Sequence, residues 1–262
     1  MARYRLTVAY QGDAFAGFQR QPEGGPESVQ GTLERALSSL MAEPVQLKAA
    51  GRTDAGVHAT GQVIAFDSQR DRPPEVVVRG ANAILPETIR VLHAELADPD
   101  FHPRYDALSR IYHYHVLSQS HDLFWSQRAW CLPDPLEQRA MQAAAGQLLG
   151  EHDFSTYSSR APADQSRIRT LTALDVSRSE WAGPAPFDLP LITFRLEANA
   201  FVRRMVRLLV AALVEVGRGR WAVQEPARRL ALRDPAQAPP PAPPGGLYLV
   251  KVNYPSGVNS PP

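Results

Sequence analysis

Residues 3–10 alternate in character, with Tyr4, Leu6, Val8 and Tyr10 on one face and Arg5, Thr7 and Ala9 on the other. That period of two predicts a half-buried strand. Residues 11–27 hold four glycines and two prolines and read as loop. Ser28 can cap a helix in which Val29, Leu33, Leu37 and Leu40 form an apolar stripe. Two short strands are expected at 45–50 and 62–67, separated by GRTDAGVHATG. Pro73-Pro74 opens a helix to about Leu85, and residues 88–97 make another strand.

The second half gives a similar order. Residues 109–118 alternate as a strand, 135–149 read as helix, and 168–178 and 189–197 read as strands around a turn containing Gly183-Pro184. Asn199 is expected to cap a long helix to Val216, followed by a short helix near 224–233. The Pro-rich run DPAQAPPPAPPGG must be extended or looped, and residues 247–253 close the chain as a strand. The fold expected is α+β. Two β-α-β-β-α-β units, 1–104 and 105–262, would form one extended, mainly antiparallel sheet with helices on one face. The repeat lies in element order, without residue-level self-similarity.

The chain has 262 residues, enough to bury a core without disulfides. Its single cysteine, Cys131, excludes an internal disulfide and a Cys-rich zinc site. No apolar run reaches the length of a membrane span, and the N-terminus leads into alternating residues rather than a signal-peptide core. A soluble cytoplasmic protein is the expectation. Net charge is only +1, but all cations except Lys48 and Lys251 are arginine. Codon composition accounts for such a bias, and so does a need for planar forks that suit phosphates. Between Asn199 and Arg220 five arginines face one acid, Glu215.

Three places could carry chemistry. The string Gly51-Arg52-Thr53-Asp54-Ala55-Gly56-Val57-His58 combines a guanidinium, a hydroxyl, a carboxylate and an imidazole with glycines that permit close approach. It also fits an Asx-turn on a solvated hairpin. In the helix expected from Asn199, Arg203, Arg204 and Arg207 would cluster in the first two turns, where cations oppose the helix dipole and favour an anionic partner. A solvated polar face is the plainer alternative. On the strand Arg110–His115, Tyr112 and Tyr114 share one face and His113 and His115 the other. Such tyrosines stack on bases or fill a core. The two histidines lack a third ligand nearby, so no metal is expected. A P-loop and a G-x-S-x-G elbow are absent. His93-Ala94-Glu95 lacks the cysteines that a zinc deaminase requires.

The string AGRTDAGVHATGQV at 50–63 resembles the signature of the TruA family of tRNA pseudouridine synthases. Further similar motifs lie in order along nearly the whole chain, on both sides of that string. They are Tyr10-Gln11-Gly12 with Phe15–Gln21 and Ser28-Val29-Gln30, and Phe101-His102-Pro103-Arg104 with Arg110–Tyr114. Glu151–Ser155, Asn199-Ala200-Phe201 with Met205-Val206-Arg207, and Ala242–Leu247 complete the set. Phe18 stands where the family usually has Trp, and His113 where it often has Arg.

The resemblance implies isomerisation of uridine to pseudouridine at positions 38, 39 and 40 of the tRNA anticodon stem-loop, with the base flipped out. It implies Asp54 as nucleophile, a role that carboxylates also take in glycosyl chemistry. It further implies Arg207 as the cation paired with Asp54, Tyr112 against the target base and Arg52 in the vacated place. Arg203 and Arg204 would contact phosphate. It implies no metal, no other cofactor and a homodimer holding tRNA. Two other readings of the same residues are a non-catalytic RNA-binding module and a glycoside hydrolase. The second needs a further carboxylate that the signature loop lacks.

Overall fold

The computed structural model describes residues 1–120, 125–159, 166–181 and 189–255. The turn expected at Gly183-Pro184 lies outside them. The architecture is α+β and mostly antiparallel, and the chain divides into two compact units. The first comprises Met1–Ser109 with Tyr248–Pro262, and the second Arg110–Leu247.

In the first unit the elements run β1 (Ala2–Tyr10), α1 (Val29–Met41), β2 (Lys48–Ala49), β3 (His58–Ser68), α2 (Pro74–Ile84) and β4 (Ile89–Ala97). Ser28 caps α1 as its sequence predicts, accepting from Gly31 N–H at 3.2 Å. Val29, Leu33 and Leu37 are buried on its apolar side. Strand β1 lies between β4 and β3, antiparallel to both. The alternation of β1 survives as burial: Tyr4, Leu6 and Val8 are fully enclosed. Arg5, on the opposite face, is also buried. It pairs with Glu95 at 3.0 Å and lies under the Tyr254 ring, 4.5 Å from its centroid. Tyr254 Oη donates to Pro103 O at 2.7 Å, so the chain's C-terminal segment is fastened to this unit.

Strand β3 corrects the sequence reading at the point that matters most. It begins at His58, inside the stretch expected to be loop, while the strand expected at 45–50 shrinks to Lys48–Ala49. The cause is long-range. Residues 58 and 59 pair in parallel with Tyr248 and Leu249 of the closing strand, β10 (Leu247–Asn253), while β2 pairs further along at Ala65 and Ile64. Local periodicity cannot register a partner so distant in sequence.

The second unit runs β5 (Ser109–Ser118), β6 (Trp130–Leu132), α3 (Gln138–Gly146), β7 (Gly150–Asp153), β8 (Ile168–Trp181), β9 (Leu189–Ala198), α4 (Met205–Gly217) and α5 (Glu225–Leu232). β10 (Leu247–Asn253) follows and falls almost wholly in the first unit. Strands β5, β9, β8 and β7 are antiparallel neighbours in that order, and β6 pairs in parallel with β5. Both β6 and β7 are too short to show a period. The helix expected over 135–149 is trimmed at each end, starting after Glu137, whose side chain accepts from Arg139 N–H.

A second correction concerns the helix expected from Asn199. Asn199 is no cap: its Oδ1 accepts from Thr170 N–H and Ala200 N–H, closing a turn at the end of β9. The chain stays irregular to Arg204, whose φ of 61° is left-handed, and α4 starts only at Met205. Arg203 and Arg204 therefore precede the helix instead of occupying its first turns. α4 also has no solvated face in its first turns. From Met205 to Val214 every residue is buried, Arg207 included, as befits a helix whose surroundings are apolar nearly all round.

Candidate active site

The loop between Ala50 and β3 is held from several sides by other parts of the first unit. Ala50 N–H donates to Val63 O at 2.8 Å, and Phe18 N–H to Thr53 O at 3.0 Å. The Thr53 hydroxyl meets Tyr10 Oη at 2.8 Å in a buried contact, and Gln62 Nε2 donates to Gly51 O at 2.8 Å. Burial pushes the Tyr10 phenol up to about 12, against the opposing pull of the Thr53 and Gln62 hydrogen bonds, so the hydroxyl keeps its proton near neutrality. Asp54 starts a tight turn closed by Val57 N–H donating to Asp54 O at 3.2 Å. Gly56, third in that turn, has φ of 78°, a conformation glycine adopts without penalty.

Gly12 is the pivot of this arrangement. Its carbonyl accepts from Gly56 N–H at 3.2 Å, and its own N–H donates to His58 Nδ1 at 3.1 Å. A Cβ at position 12 would stand 2.0 Å from the Val57 carbonyl oxygen, so only glycine fits. The loop is thus no free hairpin. Arg52 is exposed, Thr53 buried and Asp54 half-buried, which leaves the carboxylate reachable while its backbone is fixed. Sequence reasoning missed Tyr10, Gly12, His58 and Gln62 as supports. All four stand within the sequence motifs at 10–12 and 50–63, and glycine is concentrated between residues 11 and 27, but neither signal says what each residue holds.

Tyr10→Phe should lower stability by about 1–2 kcal/mol, because it leaves the buried Thr53 hydroxyl without this partner. Urea denaturation followed by circular dichroism reads the effect, and an unchanged midpoint would contradict it.

The other expected residues lie in the second unit. Tyr112 is largely buried and meets the Phe201 ring edge-on at 5.0 Å between centroids. Its neighbour Tyr114 is a core residue: it is fully buried and its hydroxyl donates to Pro243 O at 2.8 Å. Arg207 Nε donates to Ala242 O at 2.7 Å, while Ala242 N–H donates to Arg207 O at 3.1 Å. The first turn of α4 and the Pro-rich segment are clamped together by this pair. Arg203 and Arg204 are exposed on the irregular segment before α4. Arg52 and Asp54 thus share one loop, and Tyr112, Arg203, Arg204 and Arg207 belong to the other unit.

The His113 and His115 rings are 6.3 Å apart, and His115 Nδ1 contacts Thr193 Oγ1 at 3.1 Å. Burial, then the neighbouring His113, holds His115 down to about 4. Among the described residues no group of three His, Cys, Asp or Glu side chains could hold a metal ion.

A family model described as tRNA pseudouridine synthase matches residues 6–106 and 144–255. The chain is 43% identical over 256 residues to the tRNA pseudouridine synthase A of Paramagnetospirillum magneticum, covering 97% of this chain and 96% of that protein. It is 41% identical to the protein of the same name from Hyphomonas neptunium, over 98% of this chain and all of that one. The corresponding protein of Caulobacter vibrioides is 40% identical over 97% of this chain.

Proposed function

This chain belongs to the tRNA pseudouridine synthase family, and on that premise we propose how its residues divide the work. The reaction is isomerisation of uridine to pseudouridine in tRNA. The N1–C1′ bond breaks, the freed uracil turns, and a C5–C1′ bond forms. N1 gains a proton and C5 loses one, so atoms balance without an oxidant or reductant. We assign positions 38, 39 and 40 of the anticodon stem-loop as targets. Bases paired in a stem must be extruded before any residue can reach them.

Asp54 is the proposed nucleophile. The observation that supports it is the braced turn: a half-buried carboxylate on a backbone held through Gly12, Phe18 and Gln62. An anchored group loses little orientational freedom on attack. Arg207 is the proposed cation paired with Asp54, Tyr112 the side chain against the base, and Arg52 the residue that enters the vacated place. Each unit is proposed to be built on the β-α-β-β-α-β plan, with the Asp54 loop in 1–104 and Tyr112 and Arg207 in 105–262, except that the closing strand β10 belongs with the first unit, where it pairs with β3. A homodimer acting in the cytoplasm, without metal or other cofactor, completes the proposal. Among the described residues no helix is long and apolar enough to cross a membrane.

The chemistry is testable through the departing proton. tRNA transcribed with tritium at C5 of uridine should release tritium to water in proportion to pseudouridine formed. Binding without release would support a non-catalytic RNA-binding module instead. Arg203 and Arg204, exposed before α4, are proposed phosphate contacts. Arg203→Ala should flatten the slope of log affinity against log salt by roughly one unit and spare turnover at saturating tRNA. Filter binding across a salt series checks this, and an unchanged slope would remove Arg203 from the interface.

A further inference from the structure

We propose that His58 is a positioning residue for the reaction, acting through Gly12 on the turn that presents Asp54. The inference rests on the reading of Asp54 as nucleophile.

His58 opens β3 and is almost fully buried, with its imidazole stacked on Tyr248 at 4.8 Å between centroids and 19° between planes. Its Nδ1 accepts the Gly12 N–H at 3.1 Å. A nitrogen that accepts carries no proton, so the ring is neutral with its proton on Nε2. Asp13 Oδ1 stands 4.0 Å from the same nitrogen. That distance is beyond a hydrogen bond, and the acceptor site already belongs to Gly12.

The consequence runs through one residue, whose N–H and C=O lie in successive peptide groups. Gly12 N–H is fixed by His58, and Gly12 O accepts from Gly56 N–H, two residues after Asp54. Gly12 lies against the Val57 backbone too closely for any side chain. The stacked imidazole therefore sets the height of Gly12, and Gly12 sets the far end of the Asp54 turn. A misplacement of about 1 Å in a reacting group can cost 10²-fold in rate. The imidazole's role is thus to supply an acceptor at one point in a rigid frame.

Asparagine places Oδ1 where histidine carries Nδ1, whereas glutamine carries its oxygen one bond further out. His58→Leu and His58→Gln should each lower kcat by roughly 10²-fold while KM for tRNA stays within about twofold. His58→Asn should recover most of kcat. Long-range proton–nitrogen correlation spectra of the unmodified protein should show Nδ1 bare and Nε2 protonated. Equal turnover by the Asn and Gln variants, or a proton on Nδ1, would overturn the inference. The spectrum decides the matter even where a variant fails to fold. Asp54→Asn, assayed alongside, separates the two readings. If it is active, the assignment beneath this one fails; if it is inactive while the His58 series is flat, only the His58 inference fails.

Discussion

Asp54→Asn is expected to lower pseudouridine formation by about 10⁴-fold or more, the scale seen when a covalent mechanism loses its nucleophile. Amide and carboxylate are nearly the same size, so the turn closed by Val57 N–H, which uses the Asp54 backbone, persists. tRNA affinity should change by less than about threefold, because contacts with phosphate dominate it. Removing one negative charge should, if anything, tighten binding. The measurement is tritium release in single turnover beside equilibrium binding, on protein verified free of deamidation back to Asp. Turnover above a tenth of the parent rate would show that the carboxylate is not the reacting group. Loss of binding together with turnover would place Asp54 in recognition rather than chemistry.

Arg207→Ala has the second largest expected effect, and it has two components that can be separated. The side chain is buried and its Nε bonds to Ala242 O. Truncation removes a charge-assisted hydrogen bond and should cost about 1–3 kcal/mol of stability. If that were its whole role, folded Arg207→Ala at saturating tRNA would turn over normally. The proposed catalytic role predicts a further loss on the order of 10²-fold, comparable to deleting one preorganised donor in other active sites. Arg207→Lys should restore part of the turnover, since a point charge replaces a planar fork. The effect of Arg207→Ala on the salt slope should be smaller than that of Arg203→Ala. Normal turnover by folded Arg207→Ala would reduce Arg207 to a clamp on the Pro-rich segment.

The contrast between Arg203 and Arg207 illustrates what a sequence reveals and what it hides. A single long helix from Asn199 would have placed both on one polar side. Six residues of irregular chain, ending in left-handed Arg204, undo that geometry. Nothing in the local pattern betrays this, because Asn199 is as good a turn residue as a cap. Its partner, Thr170 N–H, comes from another strand.

Two strands were legible to the residue, while β1 begins one residue earlier than expected, at Ala2. β5 spans Ser109–Ser118 and β10 Leu247–Asn253, the bounds their patterns predict. The start of β3 was not legible, since its pairing partner is β10 itself. The Asp54 string announced itself through residue types. The roles of its supports did not: Tyr10, Gly12 and Gln62 stand within the motifs at 10–12 and 50–63, but only folding shows that they hold this turn. His58 sat within the motif, yet its role depends on a main-chain N–H that no motif can specify.

The most direct test of this account is to incubate the protein with unmodified tRNA and map pseudouridine by carbodiimide-dependent reverse-transcription stops. The account predicts stops arising at uridines in positions 38, 39 and 40, and none there with Asp54→Asn. Stops confined to other parts of the tRNA, or stops at these positions that survive Asp54→Asn, would contradict it.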